Sequence, residues 1–230
     1  CLSRGLGDVY KRQVETPRLK ALTGQTLLNY LKEQGVEGGW RYVHEKGVMS
    51  SAEKVAGGDL WAVNSSLINC DPSDDCAKYC YATGRNYSKE ASLVKAELVD
   101  MLAKQNPVRM AHLIAMQYKK KAVHTIVDKN GKKKKIAVWD QLALRFFDKG
   151  DFDKRADGSS RWMEVLKGVN TYGIRVQVFT KHPSLLLQVP EFNLRLLSID
   201  NTRLWLAQGN DLPIAFVYKG REDLPFIKKY

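Results

Sequence analysis

The residues with the most chemistry in reach are three cysteines. Cys70, Cys76 and Cys80 lie within eleven residues, spaced C-x5-C-x3-C in the run Cys70-Asp-Pro-Ser-Asp-Asp-Cys76-Ala-Lys-Tyr-Cys80-Tyr-Ala. The fourth cysteine of the chain is Cys1. In a reducing compartment, clustered thiols suit a metal or a metal cluster better than a disulfide framework. A zinc ion would want a fourth ligand, for which His44, His182, Asp71, Asp74 and Asp75 are candidates. A 4Fe-4S cluster on three thiolates would instead leave one iron open to a cofactor or substrate. Three structural cysteines with no metal are the plain alternative.

Such a loop needs a frame to hold it. Gly57-Gly58-Asp59 leads into an expected strand over 60–67, directly before Cys70. Helices are expected over about 76–86, 90–105 and 107–121, the last with Pro107 in its first turn. From residue 142 short apolar strands (142–147, 174–179, 194–199 and 214–218) alternate with helices over 161–168, from Ser184, and around Leu204. A parallel partner cannot be reached through a tight turn, so this alternation predicts parallel strands joined by helical crossovers. The expected fold class is α/β: a partial (βα) barrel-like parallel sheet with an inserted lysine-rich β-hairpin. Trp61, Trp139, Trp162, Phe146 and Phe147 fall in apolar patterns and are expected in the core. Leu19 to Glu33 reads as a helix stopped by Gly35 and Gly38-Gly39, within an N-terminal appendage at 14–56. The cysteine-bearing domain is expected at 57–220, and 221–230 reads as a tail with no closing element, as in a truncated reading frame.

Charge is unevenly placed along the 230 residues. The formal net charge is +12, which by itself suggests a polyanionic partner such as nucleic acid. Eight lysines against Asp128 put +7 between Lys119 and Lys135, and residues 1–13 carry +2, leaving +3 for the other two hundred residues. Residues 1–13 resemble a translated sequencing-adaptor scar of the kind met in metagenomic chains, and are set aside from fold reasoning. Within the basic run, Asn130-Gly131 between two apolar stretches predicts a hairpin over 122–139 with a type I′ turn. Its lysines suit phosphate contact, and equally suit keeping an exposed edge soluble. No run of 18 apolar residues and no signal-peptide pattern occurs, so no membrane partner is expected and the default compartment is the cytoplasm.

In (βα) barrels reactive groups gather at the carboxyl ends of the strands. Those ends carry the three cysteines, then Asp148, Lys149 and Asp151, then Thr180, Lys181 and His182, then Asp200 and Asn201, then Lys219. The cysteine loop with Tyr81-Ala82, a strand ending in Gly150-Asp151-Phe152 and another ending in Phe179-Thr-Lys-His-Pro183 resemble the phage "gene product 88" domain family over about 57–218. That family has no assigned reaction. It is similar, more distantly, to radical S-adenosylmethionine enzymes, whose partial (βα) barrel holds a 4Fe-4S cluster on a three-cysteine loop after the first strand. The resemblance implies a phage or mobile-element enzyme of unknown substrate. Cys70, Cys76 and Cys80 would hold the cluster, Asp151 and Asn201 would hold S-adenosylmethionine, and Lys181 or His182 would face substrate. Two departures stand out: the radical spacing is C-x3-C-x2-C, and Lys149-Gly150-Asp151 stands where Gly-Gly-Glu is usual. The plain alternatives make Asp151 a cap, His182 a turn residue before Pro183, and Lys181 a solvated side chain. The competing function is a non-enzymatic nucleic-acid-binding accessory protein, acting through Lys119 to Lys135, with zinc or nothing on its cysteines.

Overall fold

A computed structural model describes residues 24–51, 61–70, 72, 90–207 and 211–216. Cys76, Cys80, Asp71, Asp74, Asp75, Lys219, the expected helix at 76–86 and the segments 1–13 and 221–230 lie outside the described residues. The elements are α1 (Gly24–Lys46), β1 (Met49–Ser51), β2 (Trp61–Val63), α2 (Glu90–Gln105), α3 (Pro107–Lys121), β3 (Val123–Val127), β4 (Lys133–Ala137), β5 (Ala143–Phe146), α4 (Arg161–Asn170), β6 (Arg175–Thr180), α5 (Pro183–Leu186), β7 (Leu194–Ile199) and β8 (Ile214–Phe216). Short 3-10 turns follow β2, at Leu67–Asn69, and β7, at Asn201–Ala207.

The main sheet has six strands in the order β1-β2-β5-β6-β7-β8. Every neighbouring pair from β2 onward is parallel, and β1 adds an antiparallel edge through Met49 opposite Val63. The five parallel strands therefore lie side by side in chain order, as successive crossovers of one hand produce. β3 and β4 form a separate two-stranded sheet. Among the described residues no helix is long and apolar enough to cross a membrane.

Helices α2 and α3 occupy the ranges their periodicity predicts. Pro107 opens α3, and Asn106 caps it by accepting from the Arg109 amide at 2.9 Å. Against them pack α1 and α4, and the core runs continuously from Trp40 and Val43 through Leu102 and Ile114 to Val176 and Leu197. At its centre Phe146, Phe147, Phe152 and Trp162 make edge-to-face contacts with ring centroids 5.0–6.0 Å apart. Trp61 and Trp139 pack against this core as expected, but only in part. They are half-buried, and the ammonium groups of Lys121 and Lys119 stand 3.9 and 4.0 Å from their ring centroids.

Three further expectations are corrected. The segment 14–56 is no appendage in its described part: Trp40, Tyr42, Val43 and Met49 are buried in the common core, and β1 completes the sheet edge. Gly35 kinks α1, with φ 60° and ψ −158°, but the helix resumes and carries Gly38 and Gly39 buried. A Cβ on Gly39 would stand 3.0 Å from Leu98 of α2, so this glycine permits close helix contact and does not act as a stop. The hairpin forms, but not on a type I′ turn, since Gly131 has positive φ and Asn130 does not. Asp128 Oδ1 accepts from the amides of Asn130 and Lys132, and the Gly131 amide donates to the Asp128 carbonyl. That side chain favours a longer loop with a single left-handed glycine.

The loops after β2 and β5 approach each other closely at Gly150. Gly150 has φ +80°, and a Cβ there would fall 2.1 Å from Ser65 Oγ and 2.6 Å from the Ser65 carbonyl oxygen. Gly158 also has positive φ, but with open space around it. Gly150→Ala is expected to cost about 3 kcal/mol or more, and Gly158→Ala about 1 kcal/mol, from backbone strain and, at Gly150, overlap. Urea denaturation of both variants checks the difference.

Candidate functional site

The loops that leave β2, β5 and β6 meet at the carboxyl end of the sheet. After β2, Asn64 and Ser65 lock onto the β5 loop. The Lys149 amide donates to Asn64 Oδ1 at 2.9 Å, the Ser65 amide to the Lys149 carbonyl at 3.2 Å, and Ser65 Oγ to the Asp151 carbonyl at 2.7 Å. The β5 chain turns there through Phe147, a buried residue at φ +67° whose amide still donates to the Val63 carbonyl. A non-glycine residue in that region is strained, and it persists because the aromatic cluster and this hydrogen bond fix it.

Asp151 is the hub of these loops. Its carboxylate accepts from Thr180 Oγ1 at 2.5 Å, the Phe152 amide at 2.8 Å and the Lys181 amide at 3.1 Å. Burial pushes its carboxyl above the usual range; the Thr180 hydroxyl, the nearby His182 and the two amides act against that rise. Thr180 Oγ1 in turn accepts from the His182 amide at 3.1 Å, and His182 caps α5 through its backbone. The chain Asp151–Thr180–His182 therefore positions the imidazole. His182 is 9% exposed, and its Nε2 has no hydrogen-bond partner among the described residues.

Cys70 reaches the same region from the other side. Ser66 Oγ accepts from the Ile68 amide and donates to Glu97, while the Cys70 amide donates to the Leu67 carbonyl. Asn69 Nδ2 donates to Asp100 Oδ1 at 2.6 Å, and that oxygen also accepts from the Trp162 indole at 2.7 Å. Lys104 Nζ bridges Asp100 Oδ2 and Asn69 Oδ1 at 2.6 and 2.8 Å. A buried carboxylate satisfied this completely rigidifies the turn that presents Cys70.

Cys70 and His182 line one cleft of about 560 Å³, together with Ile68, Asn69, Lys104, Asp153, Lys154 and Arg155. Asp153 is buried and caps α4: it accepts from Ser160 Oγ at 2.7 Å and from the Trp162 and Arg161 amides at 3.0 and 3.3 Å. The residues anticipated at the site are thus distributed as follows. Cys70 and His182 converge; Asp151 lies beneath, holding the His182 loop; Lys181 is half-buried, with its amide on Asp151. Asn201 opens the 3-10 turn after β7, next to Asp200, whose Oδ1 accepts from the Thr202 amide and hydroxyl. His44 is exposed near the end of α1. Sequence reasoning missed Asn69, Lys104, Asp153, Lys154 and Arg155. The signal available for Asp153 was a carboxylate a few residues before the Ser160-Arg-Trp helix start.

A lysine cluster flanks the site. Asp148 is buried in an ion pair with Arg145 at 2.8 Å; burial pushes its carboxyl up against the pull of Arg145 and Lys149. Lys149 is buried with Nζ 2.5 Å from Ser92 Oγ, and burial lowers its ammonium while Asp148 opposes the fall. Lys95 donates to the Met49 carbonyl at 3.2 Å. Burial, then the charges of Lys121 and Lys149, bring the Lys95 ammonium down from 10.5 to about 8.

No protein-family model matches the chain, and neither a curated protein nor a solved structure matches it.

Two variants probe this geometry. Asp151→Asn sets an amide NH2 against one of the three donors and is expected to cost about 2 kcal/mol of stability, read by urea denaturation. Lys95 binds its proton less tightly folded than unfolded, so its contribution rises as pH climbs from about 8 to 10.5 and is lost below about 8. The stability of the native chain relative to Lys95→Met should therefore increase over that window, measured by denaturation at each pH.

Proposed function

We propose that the chain is a metal-cluster enzyme of phage or mobile-element type, similar to the gene product 88 family. In this reading its sheet is part of a partial (βα) barrel and a 4Fe-4S cluster sits on Cys70, Cys76 and Cys80 at the mouth. One observation carries the reading: Cys70 and His182, which belong to loops after non-adjacent strands, line a single cleft at the carboxyl end of the parallel sheet. The in-order parallel strands support a barrel-like curl. The donor set fits a soft metal centre, with a half-buried thiol presented by a rigid turn and, on another residue of the same cleft, a buried imidazole nitrogen with no partner among the described residues.

Three thiolates would hold the cluster, and its open iron would supply a binding position for the amino and carboxylate groups of S-adenosylmethionine. The chain's own groups do the rest. Asn69, Asp100 and Lys104 hold the cysteine turn; Asp151 and Thr180 hold His182 facing substrate; Asn201, after β7, is the candidate for cofactor contact. Asp151 acts as a positioning residue, because its carboxylate already serves three donors. Anaerobic reconstitution with iron and sulfide is expected to give a brown protein holding four irons and four sulfides, roughly, per chain. Cys76→Ser with Cys80→Ser should stay colourless. A native chain that stays colourless and binds one zinc would sink the cluster reading and leave zinc as the metal.

A second reading rests on the hairpin. Lys129 and Lys132 to Lys135 are all exposed on β3–β4, which stands apart from the main sheet and suits phosphate contact. In this reading the protein is a nucleic-acid-binding accessory. Duplex binding should then weaken steeply with salt, and Lys132 to Lys135 changed to Ser should flatten the log–log slope by about one for each phosphate no longer neutralised. Binding unaltered by those changes would reduce the hairpin to a solubility device.

A further inference from the structure

Among its described lining residues the cleft beside Cys70 carries more cations than acids. Asp153, the one acid among its described lining residues, is committed to the N-terminus of α4, where three donors and the helix dipole take up its charge. Lys104 is balanced by Asp100 at 2.6 Å. Lys154 and Arg155 are left. Both are exposed, and the Arg155 side chain is held by a long ion pair, its Nε 3.9 Å from Asp153 Oδ2 without a hydrogen bond. The turn that presents them is held by the Arg155 amide on the Ser159 carbonyl and the Gly158 amide on the Arg155 carbonyl, at 3.0 and 2.9 Å.

On the same cleft, His182 Nε2 is buried and unpartnered among the described residues. Buried polar atoms in folded proteins nearly always have a partner, so an unpartnered one on a residue that lines a cleft is a candidate contact for a ligand atom. An exposed lysine, an exposed arginine held by one long ion pair, and an imidazole nitrogen match a dianion. A phosphate monoester is close to −2 near neutral pH, and the planar guanidinium offers it paired donors. The volume of about 560 Å³ suits a small molecule rather than an extended chain.

We infer that this cleft binds the phosphate group of a phosphorylated small molecule. Arg155 and Lys154 hold the anion, His182 Nε2 donates to it, and the rest of the molecule lies toward Cys70. As a substrate site the cleft depends on the cluster reading above; anion binding by itself does not.

The test uses inorganic phosphate as the probe, with acetate at equal ionic strength for comparison. In the full chain, stripped of metal with a chelator, alkylation of Cys70 by iodoacetamide is followed by peptide mass spectrometry. Phosphate should slow that alkylation several-fold while acetate leaves it unchanged. Lys154→Gln with Arg155→Gln should abolish the protection, and His182→Gln should weaken phosphate binding about tenfold or more in calorimetry. Lys132 to Lys135 changed to Ser should leave it intact. Circular dichroism checks that each variant is folded, and the exposed Lys154 and Arg155 make the double variant the safer of the two. No protection in the native chain, or protection that survives in the folded double variant, would overturn the inference. Iron and sulfide analysis keeps the two ideas separate: a chain that assembles a cluster without phosphate protection loses only the anion site, and one that is protected but never assembles a cluster keeps it.

Discussion

A single buried carboxylate organises the carboxyl end of the sheet. Asp151 comes from the loop after β5, yet two of its three donors, Thr180 and Lys181, belong to the end of β6, and its own carbonyl is held by Ser65 from beyond β2. Three successive strand ends are thus tied at one residue. A carboxylate in so dry a position would be costly alone, and the arrangement is tolerable because each donor is fixed by a strand or by a neighbouring loop. Gly150 serves the same junction: any side chain there would push Ser65 away and break the bond from Ser65 Oγ to the Asp151 carbonyl. Remove this tie and His182 loses its bearing on the cleft, even though it touches Asp151 only through Thr180.

The cysteine side of the cleft depends on a second carboxylate in the same manner. Asp100 projects from the middle of α2 and collects Asn69, Lys104 and Trp162, so the turn carrying Cys70, the helix α2 and the start of α4 share one polar joint. Trp162 lies at the meeting of this joint and the aromatic cluster with Phe146 and Phe147. Polar and apolar packing are therefore not separable here: the ring that fills the core also orients the oxygen that fixes Asn69. One carboxylate holds Asn69 and the other holds the His182 loop, and Asn69 and His182 both line one cleft.

What could be read from the chain before its structure followed from local rules. The ranges of α2, α3 and β7 agree with periodicity and caps, because Pro107, Asn106 and the apolar run Leu194 to Ile199 act within a few residues of themselves. The convergence of Cys70 and His182 followed from parallel topology, which sends every strand end to the same side. Failures came where distant partners decide. Gly39 looks like part of a helix stop until α2 is packed against it, and Trp61 and Trp139 pack against the core yet stay half-buried, with Lys121 and Lys119 over their rings. Asn130-Gly131 signals a two-residue turn until the Asp128 side chain takes the Asn130 and Lys132 amides. Arg155, Lys154 and Lys104 had no signal, since a cation in a loop or on a helix declares a site only when its counter-charge is shown to be occupied elsewhere.

The lysine hairpin closes on itself at its base. The Ala122 amide donates to Tyr118, and the Val138 amide donates to the Ala122 carbonyl at 3.1 Å, so both ends of the excursion meet at one buried point beside α3. The crossover from α3 to β5 would span the same gap with the intervening fifteen residues β3 through β4 excised. Physically the hairpin is a detachable module, joined to the frame that holds Cys70 and His182 at a single point of its base.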